Sequence, residues 1–595
     1  MAEPPAAPHD PFAHLHDETY GEATDSTVGA DTMITMGGRT QISLDGEWRF
    51  VLDPFEEGLR QRWYAHEPSD PTGWQIPRDY DGSDWQTITV PGCWTTARPE
   101  WRHYEGAAWY LRWFDTPSLA PGERLFLRVG GALQRARVFL NGRFVGGHRG
   151  GSTPFFLEIG ETCGERANRL QIMVENRRRA DGVPMHHFDW FNDGGLFREV
   201  SLVVVPAVFI RTFQLSLTGE GIRLRARLSE PHDIAARLSI PDLGIEAEVA
   251  VTAGAVDTVI PATPDLWSPQ SPNLYEVTLT CGADAVRERI GFRTLATTGE
   301  HILLNGAPIF LRGVCCHEDD AALGRTTSEA DIHRRFAHVR ALGANAVRLS
   351  HYPHHERVAE IADELGILLI AEVPVYWAIA FDNPETLADA DNQLRELIAR
   401  DINRASIIAW SIGNENADTD ARYAFLKTLA QTAREADGTR LVTAACLINR
   451  TSFAVEDRIA AHLDVVGVNE YFGWYEPDFA DLQRLLANSA VEKPLVISET
   501  GADALAGMHG APGVLFSEAH QAHVFERQLE IVAEAPAVEG FFAWLLYDFR
   551  SERRQTGLQR GNNLKGLIAA DKATRKRAFH TIAAAYRRPP FADPS

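Results

Sequence analysis

The sequence predicts a multidomain chain: an N-terminal jelly-roll-like β-sandwich, an immunoglobulin-like β-sandwich, and a C-terminal (β/α)8 TIM barrel. Three observations predict it. With 595 residues and 45% hydrophobic composition, the chain has the apolar mass for several cores. Up to about residue 296 it reads as short alternating runs broken by Gly, Pro and Asp turns. From residue 297 onward, helical segments such as Glu329–Leu342 and Glu356–Leu365 alternate with short β-rich runs, the pattern of βα units.

Taken in order, residues 1–38 are rich in Pro, Ala, Asp and Thr without sustained periodicity, and are expected to form a disordered tail. Residues 39–206 alternate in the manner of Leu125-Phe126-Leu127-Arg128-Val129 and form the first, sugar-binding-like sandwich. Residues 207–296, with Ile222-Arg223-Leu224-Arg225-Ala226-Arg227-Leu228, have the size and strand spacing of the second. In residues 297–590 eight apolar runs can be counted: 309–316, 345–350, 368–373, 406–412, 441–445, 465–469, 495–498 and 540–545. Eight such strands close a barrel, and its chemistry sits at the C-terminal ends of the strands.

Bulk properties narrow the partners. A formal net charge of -23, from 58 basic and 81 acidic residues, argues against nucleic acid or an anionic membrane. The six cysteines are scattered and match neither a disulfide framework nor a zinc knuckle. With no long apolar span and no basic start followed by an apolar segment, a cytoplasmic location is the expectation, with a leader removed ahead of this numbering left open.

The fourth run, Ser406 to Ile412, continues into Gly413-Asn414-Glu415, and the seventh ends in Ser498-Glu499. Both carboxylates then lie at the catalytic face on nearly opposite sides of the mouth. Hydrolysis of a glycosidic bond needs two such groups, one to protonate the leaving oxygen and one to attack or to activate water. Glu372 and Glu470 also end strands, and are read as orienting Arg348 or neighbouring hydroxyls. His351-Tyr352-Pro353-His354-His355-Glu356 lacks the spacing of a helical zinc motif, so no metal is expected, and no organic cofactor either.

Gly291-Phe292-Arg293, Leu304-Asn305-Gly306, Leu311-Arg312-Gly313-Val314, His317-Glu318-Asp319, Ser350-His351-Tyr352-Pro353 and Gly413-Asn414-Glu415, in this order behind two sandwiches, resemble glycoside hydrolase family 2. Within it, Asp189-Trp190-Phe191-Asn192, Asn469-Glu470-Tyr471-Phe472-Gly473-Trp474-Tyr475 and the segment Glu499 to Gly507 look like the β-glucuronidases. The resemblance implies a retaining exo-acting enzyme with Glu499 as nucleophile and Glu415 as acid/base, the two carboxyls about 5 to 5.5 Å apart. It makes Asn414 the partner of the sugar 2-hydroxyl and Asn563 and Lys565 the readers of a uronic acid carboxylate. Such readers are donors without an opposing charge.

It also implies Asp189, His317, Tyr471, Tyr475, Trp544 and Arg560 as substrate-binding residues, and homo-oligomers, dimer or tetramer, through the sandwiches. The expected substrate is a carbohydrate with a terminal β-linked uronic acid. Galacturonate selectivity, a neutral-sugar β-galactosidase and a non-catalytic carbohydrate-binding scaffold stay open. Two departures from the resemblance are Thr500 in place of Tyr and Asp193-Gly194 in place of Tyr-Ala. The link 376–392 is shorter than in gut-type glucuronidases, and implies a wide mouth that takes bulky or oligosaccharide aglycones and acts weakly on small drug-like glucuronides.

Overall fold

A computed structural model of the chain describes residues 26–65, 82, 84–299, 301–489 and 492–592. The first sandwich packs a six-stranded sheet, ordered Gln86–Val90, Gly46–Asp53, Ala107–Phe114, Asn168–Glu175, Arg135–Leu140 and Arg143–Arg149, on a four-stranded one. The four strands are Gln41–Ser43, Val200–Val205, Arg124–Val129 and Phe155–Glu158. Alternate residues, among them Trp48, Phe50, Tyr110 and Leu127, fill the space between. The second sandwich sets three strands (Ile210–Thr218, Gly221–Leu228, Ala255–Ile260) against four (Ile245–Ala250, Ala235–Ile240, Tyr275–Cys281, Asp284–Ile290). Its core is separate, built from Phe213, Leu224, Leu238, Val277 and their neighbours.

Eight parallel strands then close a barrel: β1 Leu311–Cys316, β2 Ala346–Leu349, β3 Leu368–Glu372, β4 Ile407–Asn414, β5 Leu441–Cys446, β6 Val465–Asn469, β7 Leu495–Thr500 and β8 Val538–Ala543. Alternation splits each strand between two cores. On β2, Val347 and Leu349 pack outward against the helices, whereas Ala346 joins the lumen. Helix α1, Glu329–Leu342, starts at a capping box of Ser328 and Asp331 and stops at Gly343, whose φ of 80° suits glycine. Helix α2, Glu356–Leu365, follows β2 directly and buries Val358, Ala359, Ile361 and Ala362.

The expected tail is corrected in part. Residues 1–25 lie outside the described residues, but 26–38 pack onto the body. Met33 and Ile34 are buried among Phe126, Phe156, Val203, Val205 and Phe209. Arg39, at the end of this segment, pairs with Asp284 of the second sandwich at 2.6 Å. Met33 and Ile34, with Met36 packed against the same cluster and Val28 against the sandwich core, suffice to seat it, because the outer face of the four-stranded sheet is itself apolar there. Among the described residues, no helix is long and apolar enough to cross a membrane.

Candidate active site

Strict alternation would misplace the residues the sequence singled out. On β7, Leu495 and Ile497 face the helices, so period-two geometry would send Glu499 outward too. A register shift between Ile497 and Thr500 interrupts the period, and Glu499 bonds to Tyr471 and Arg348 instead. A shift between Ser411 and Asn414 does the same on β4; on β6, where Val465 faces the lumen, alternation itself carries Asn469 inward, with a further shift at Val468/Asn469. Glu415 itself stands at φ 52°, in the left-handed region, where the chain leaves the strand.

These irregularities gather one buried network. Arg348, on β2, donates to Glu499 Oε2 at 3.1 Å, to Glu372 Oε2 at 2.8 Å and to Asn414 Oδ1 at 2.7 Å. Asn469, at the end of β6, donates to Glu415 Oε1 at 2.9 Å and to Asn414 Oδ1 at 3.1 Å. Trp377 Nε1–H donates to the other Glu415 oxygen at 2.7 Å, and Tyr471 Oη–H donates to Glu499 Oε1. Both candidate carboxylates therefore meet in one mouth, linked through Arg348, Asn414 and Asn469.

Electrostatics follow from the burial. Burial first, and then the charge of Glu415, push Glu499 up to about 8, against the pull of Arg348 and Tyr471. Glu372 goes the other way: despite burial, Arg348 and His351 hold it at about 2. Asn414 has its oxygen committed twice while its amide nitrogen is buried without a partner, which leaves a donor for a ligand hydroxyl. His317 is similar. Its Nδ1 meets Tyr352 Oη at 3.0 Å and its Nε2 has no partner. Trp544 is buried at the end of β8, stacks on His351 at 5.1 Å and meets His317 edge-on at 5.3 Å.

On the β8 side of the same mouth, Lys565 Nζ lies 5.6 Å from the Tyr471 ring centre, next to the tyrosine that bonds Glu499. Lys565 donates to Tyr475 Oη at 3.0 Å and to Asp503 Oδ2 at 2.7 Å. The ammonium thus does have an opposing charge, contrary to the expectation, because a lysine buried to 1% exposure needs a counterion. Asn563 accepts from the Lys565 backbone N–H at 3.1 Å, which commits its oxygen and leaves its amide hydrogens for a ligand.

Asp189 arrives from the first sandwich and binds Ser551 Oγ at 2.5 Å and Arg554 Nε at 3.1 Å. Arg554 also donates to Tyr475 Oη at 3.2 Å. Arg560 is placed differently from the rest. It is exposed and donates to Gly557 O at 3.0 Å, because the turn that bonds Arg560 N–H to Thr556 O carries it outward. Arg554, six residues earlier, is the arginine beside Asp189.

Glu372 orients Arg348 and accepts from Ser411 Oγ, whereas Glu470 does not reach Arg348 and lies beside the Thr500 hydroxyl. It accepts from the Phe472 N–H at 2.9 Å, and burial pushes its carboxyl up to about 8. His351, His354 and His355 bind Glu372, Ser350 O and Glu199 respectively, so their ring nitrogens turn to three separate partners. Among the described residues, no group of three or more His, Cys, Asp or Glu side chains is arranged to hold a metal ion.

Residue-by-residue reading missed Trp377, Asn469, Asp503 and Arg554 as members of the mouth. Asn469 had a signal, its place at the end of the sixth apolar run. Arg554 had none, because it lies in a loop whose path only the fold defines.

A carboxylate pair, Glu499 buried and Glu415 half-buried, at the mouth of a barrel carried behind two sandwiches defines a family. Models of glycosyl hydrolases family 2 match as the sugar binding domain over residues 42–206, as the family 2 domain over 222–293, and as the TIM barrel domain over 295–587. The chain belongs to glycoside hydrolase family 2 and is a glycosidase. It is similar to the beta-glucuronidase of Paenibacillus borealis, at 29% identity over 88% of this chain and 93% of the relative. It is also similar to that of Homo sapiens, at 28% over 89% and 88%. A Ruminococcus gnavus β-glucuronidase in complex with uronic isofagomine superposes with TM-score 0.81 at 26% identity, over 94% of this chain and 100% of that one. An uncultured Clostridium sp. beta-glucuronidase gives 0.81 at 28%, over 92% and 98%.

Proposed function

We propose that this chain is a retaining exo-β-glucuronidase that hydrolyses terminal β-D-glucuronides by double displacement. The observation that carries it is Lys565, held beside the Glu499–Tyr471 pair in the mouth where Glu415 and Glu499 meet. A uronic acid bound with its anomeric carbon at Glu499 needs a cation for its C6 carboxylate, and Lys565 with the Asn563 amide supplies charge and donors there.

In the first step the Glu499 carboxylate attacks the anomeric carbon. Glu415 delivers a proton to the leaving oxygen. Arg348 donates to Glu499 and favours the ionised form that attacks, whereas Glu415, among the described residues, accepts from the neutral Trp377 and Asn469. Forming the glycosyl ester removes the negative charge of Glu499. Glu415, now the base, takes a proton from water as its oxygen attacks the anomeric carbon and releases Glu499. The free Asn414 amide donates to the 2-hydroxyl, a bond that strengthens as positive charge develops at the ring.

The deciding assay is kcat/KM on p-nitrophenyl β-D-glucuronide, β-D-galacturonide and β-D-galactoside for the wild type and for Lys565→Met with Asp503→Asn. The paired change avoids leaving Asp503 buried and unpaired. Preference for the glucuronide, lost in the double variant by about 1.5 to 3 kcal/mol, supports the reading. Preference for the galactoside that survives the substitution discards it, and preference for the galacturonide moves it to a galacturonidase. Light scattering tests whether the protein forms a homo-oligomer.

A further inference from the structure

Glu415 is the group that meets the leaving oxygen, so the side chains that hold its carboxylate stand near the aglycone. Asn469 is tied back to Asn414, and the other is Trp377, whose Nε1–H donates to Glu415 Oε2 at 2.7 Å. Tyr376 stacks on the indole at 4.5 Å, and the Arg553 guanidinium lies over it at 4.9 Å from the ring centre. Protein groups already cover the aromatic ring. What the rim offers an aglycone is the cation.

Arg553 is exposed, and among the described residues only its Nη1, donating to His187 O at 3.0 Å, has a bond that fixes it. Its neighbour Glu552 is engaged elsewhere, with Arg178 at 2.9 Å and His103 at 3.3 Å. A guanidinium carries five donors in a planar fork, so those left over can donate to the oxygens of an anion. Its field is felt along the rim. Desolvation, and then His186, Arg553 and Arg178, lower the pKa of His187.

We infer that Arg553, steadied on Trp377, is the specificity residue of an aglycone subsite that favours leaving groups bearing a carboxylate or a sulfate, as in acidic oligosaccharides. The inference rests on the glucuronidase reading for the sugar on the other side of the bond. It is stated for a protein of net charge -23, in which an unneutralised arginine at the mouth is a local exception that draws an anion in.

The test compares p-nitrophenyl, p-carboxyphenyl and p-(sulfooxy)phenyl β-D-glucuronides on the wild type, Arg553→Gln and Arg553→Lys. Leaving-group reactivity cancels when each charged substrate is divided by the neutral one and the ratio is compared between enzymes. The expected result is a ratio about tenfold lower in Arg553→Gln, as for a lost charge-assisted contact, with Arg553→Lys between. The wild-type ratio should also fall with added salt. An unchanged ratio overturns the proposal, as does an equal loss on all three substrates, which would mean that Arg553 acts only by holding Trp377 against Glu415. The carboxylate and sulfate arms separate the two anions. If the wild type cleaves no glucuronide but cleaves another aryl glycoside, the glucuronidase reading fails by itself, and the same ratios on that glycoside still decide for or against Arg553.

Discussion

Glu499 is buried among Arg348, Tyr471 and Glu415, and its carboxyl is pushed up to about 8 by burial first and by Glu415 second. The pair therefore holds one proton through neutral pH, and the proposed first step consumes it. As pH rises through about 8 that proton is lost, no acid remains, and kcat/KM should fall with an apparent pKa near 8, read from a pH–rate profile. Glu415→Gln should slow phenyl glucuronide by roughly 10² to 10⁴-fold. It should slow a dinitrophenyl glucuronide far less, since a leaving group that is already a weak base needs no proton; equal losses on both would take the acid role from Glu415.

Glu470 gives a stability counterpart. Its folded pKa of about 8 lies above the ordinary value of 4.5. Between those values the folded state keeps a proton that the unfolded chain releases, so stability declines as pH rises. Glu470→Gln, which mimics the protonated form, should narrow the Tm difference between pH 5 and pH 8. A difference as wide as in the wild type would show that the carboxyl ionises freely when folded.

At the scale of elements, register shifts mark the catalytic ends of β4, β6 and β7, with further shifts near the start of β7 and in the β3–β4 pairing. The β1–β8 pairing is regular and tolerates little change of volume. Gly313 on β1 faces Phe542 on β8, and a Cβ there would stand 2.2 Å from the phenyl ring, with further ring atoms at 2.3 and 2.4 Å. Gly313→Ala should cost about 1 to 3 kcal/mol through overpacking, measured as a lower midpoint in urea. A midpoint unchanged would mean that the lumen repacks freely.

Across the whole molecule, the mouth is completed by the first sandwich, which supplies Asp189 and Trp190. The two are locked by charge. Arg198 of the sandwich donates to Glu318 of the barrel at 2.9 Å and to Pro353 O at 3.0 Å, all of it buried. Although burial raises Glu318, Arg198 and then His354 outweigh it and hold the carboxyl well below its usual range. That contribution is present above the unfolded carboxylate pKa and is lost as pH falls toward the folded value. Glu318→Gln leaves Arg198 without its charge partner and should cost about 3 to 5 kcal/mol. Calorimetry should then show the sandwich melting ahead of the barrel, with activity lost in the first transition; one unsplit transition at the wild-type Tm would mean that other contacts dock the two.

The sequence by itself determined the architecture and the family, because hydrophobic periodicity and turn residues are local. Eight apolar runs, two alternating blocks and the ends of strands four and seven could be read one window at a time. Tertiary structure alone decided the rest. Whether Glu499 faces lumen or helices depends on a register shift, which is a property of two strands together. Lys565 receives Asp503 as counterion because a buried ammonium requires one, and which carboxylate lies near is set by the turn of the loop that follows β7. Arg554 rather than Arg560 reaches Asp189 because the 556–560 turn points the latter outward. Residues 26–38 read as tail because their few, non-periodic apolar side chains cannot make a core of their own, yet an apolar sheet face built from distant residues gives them a place to bind.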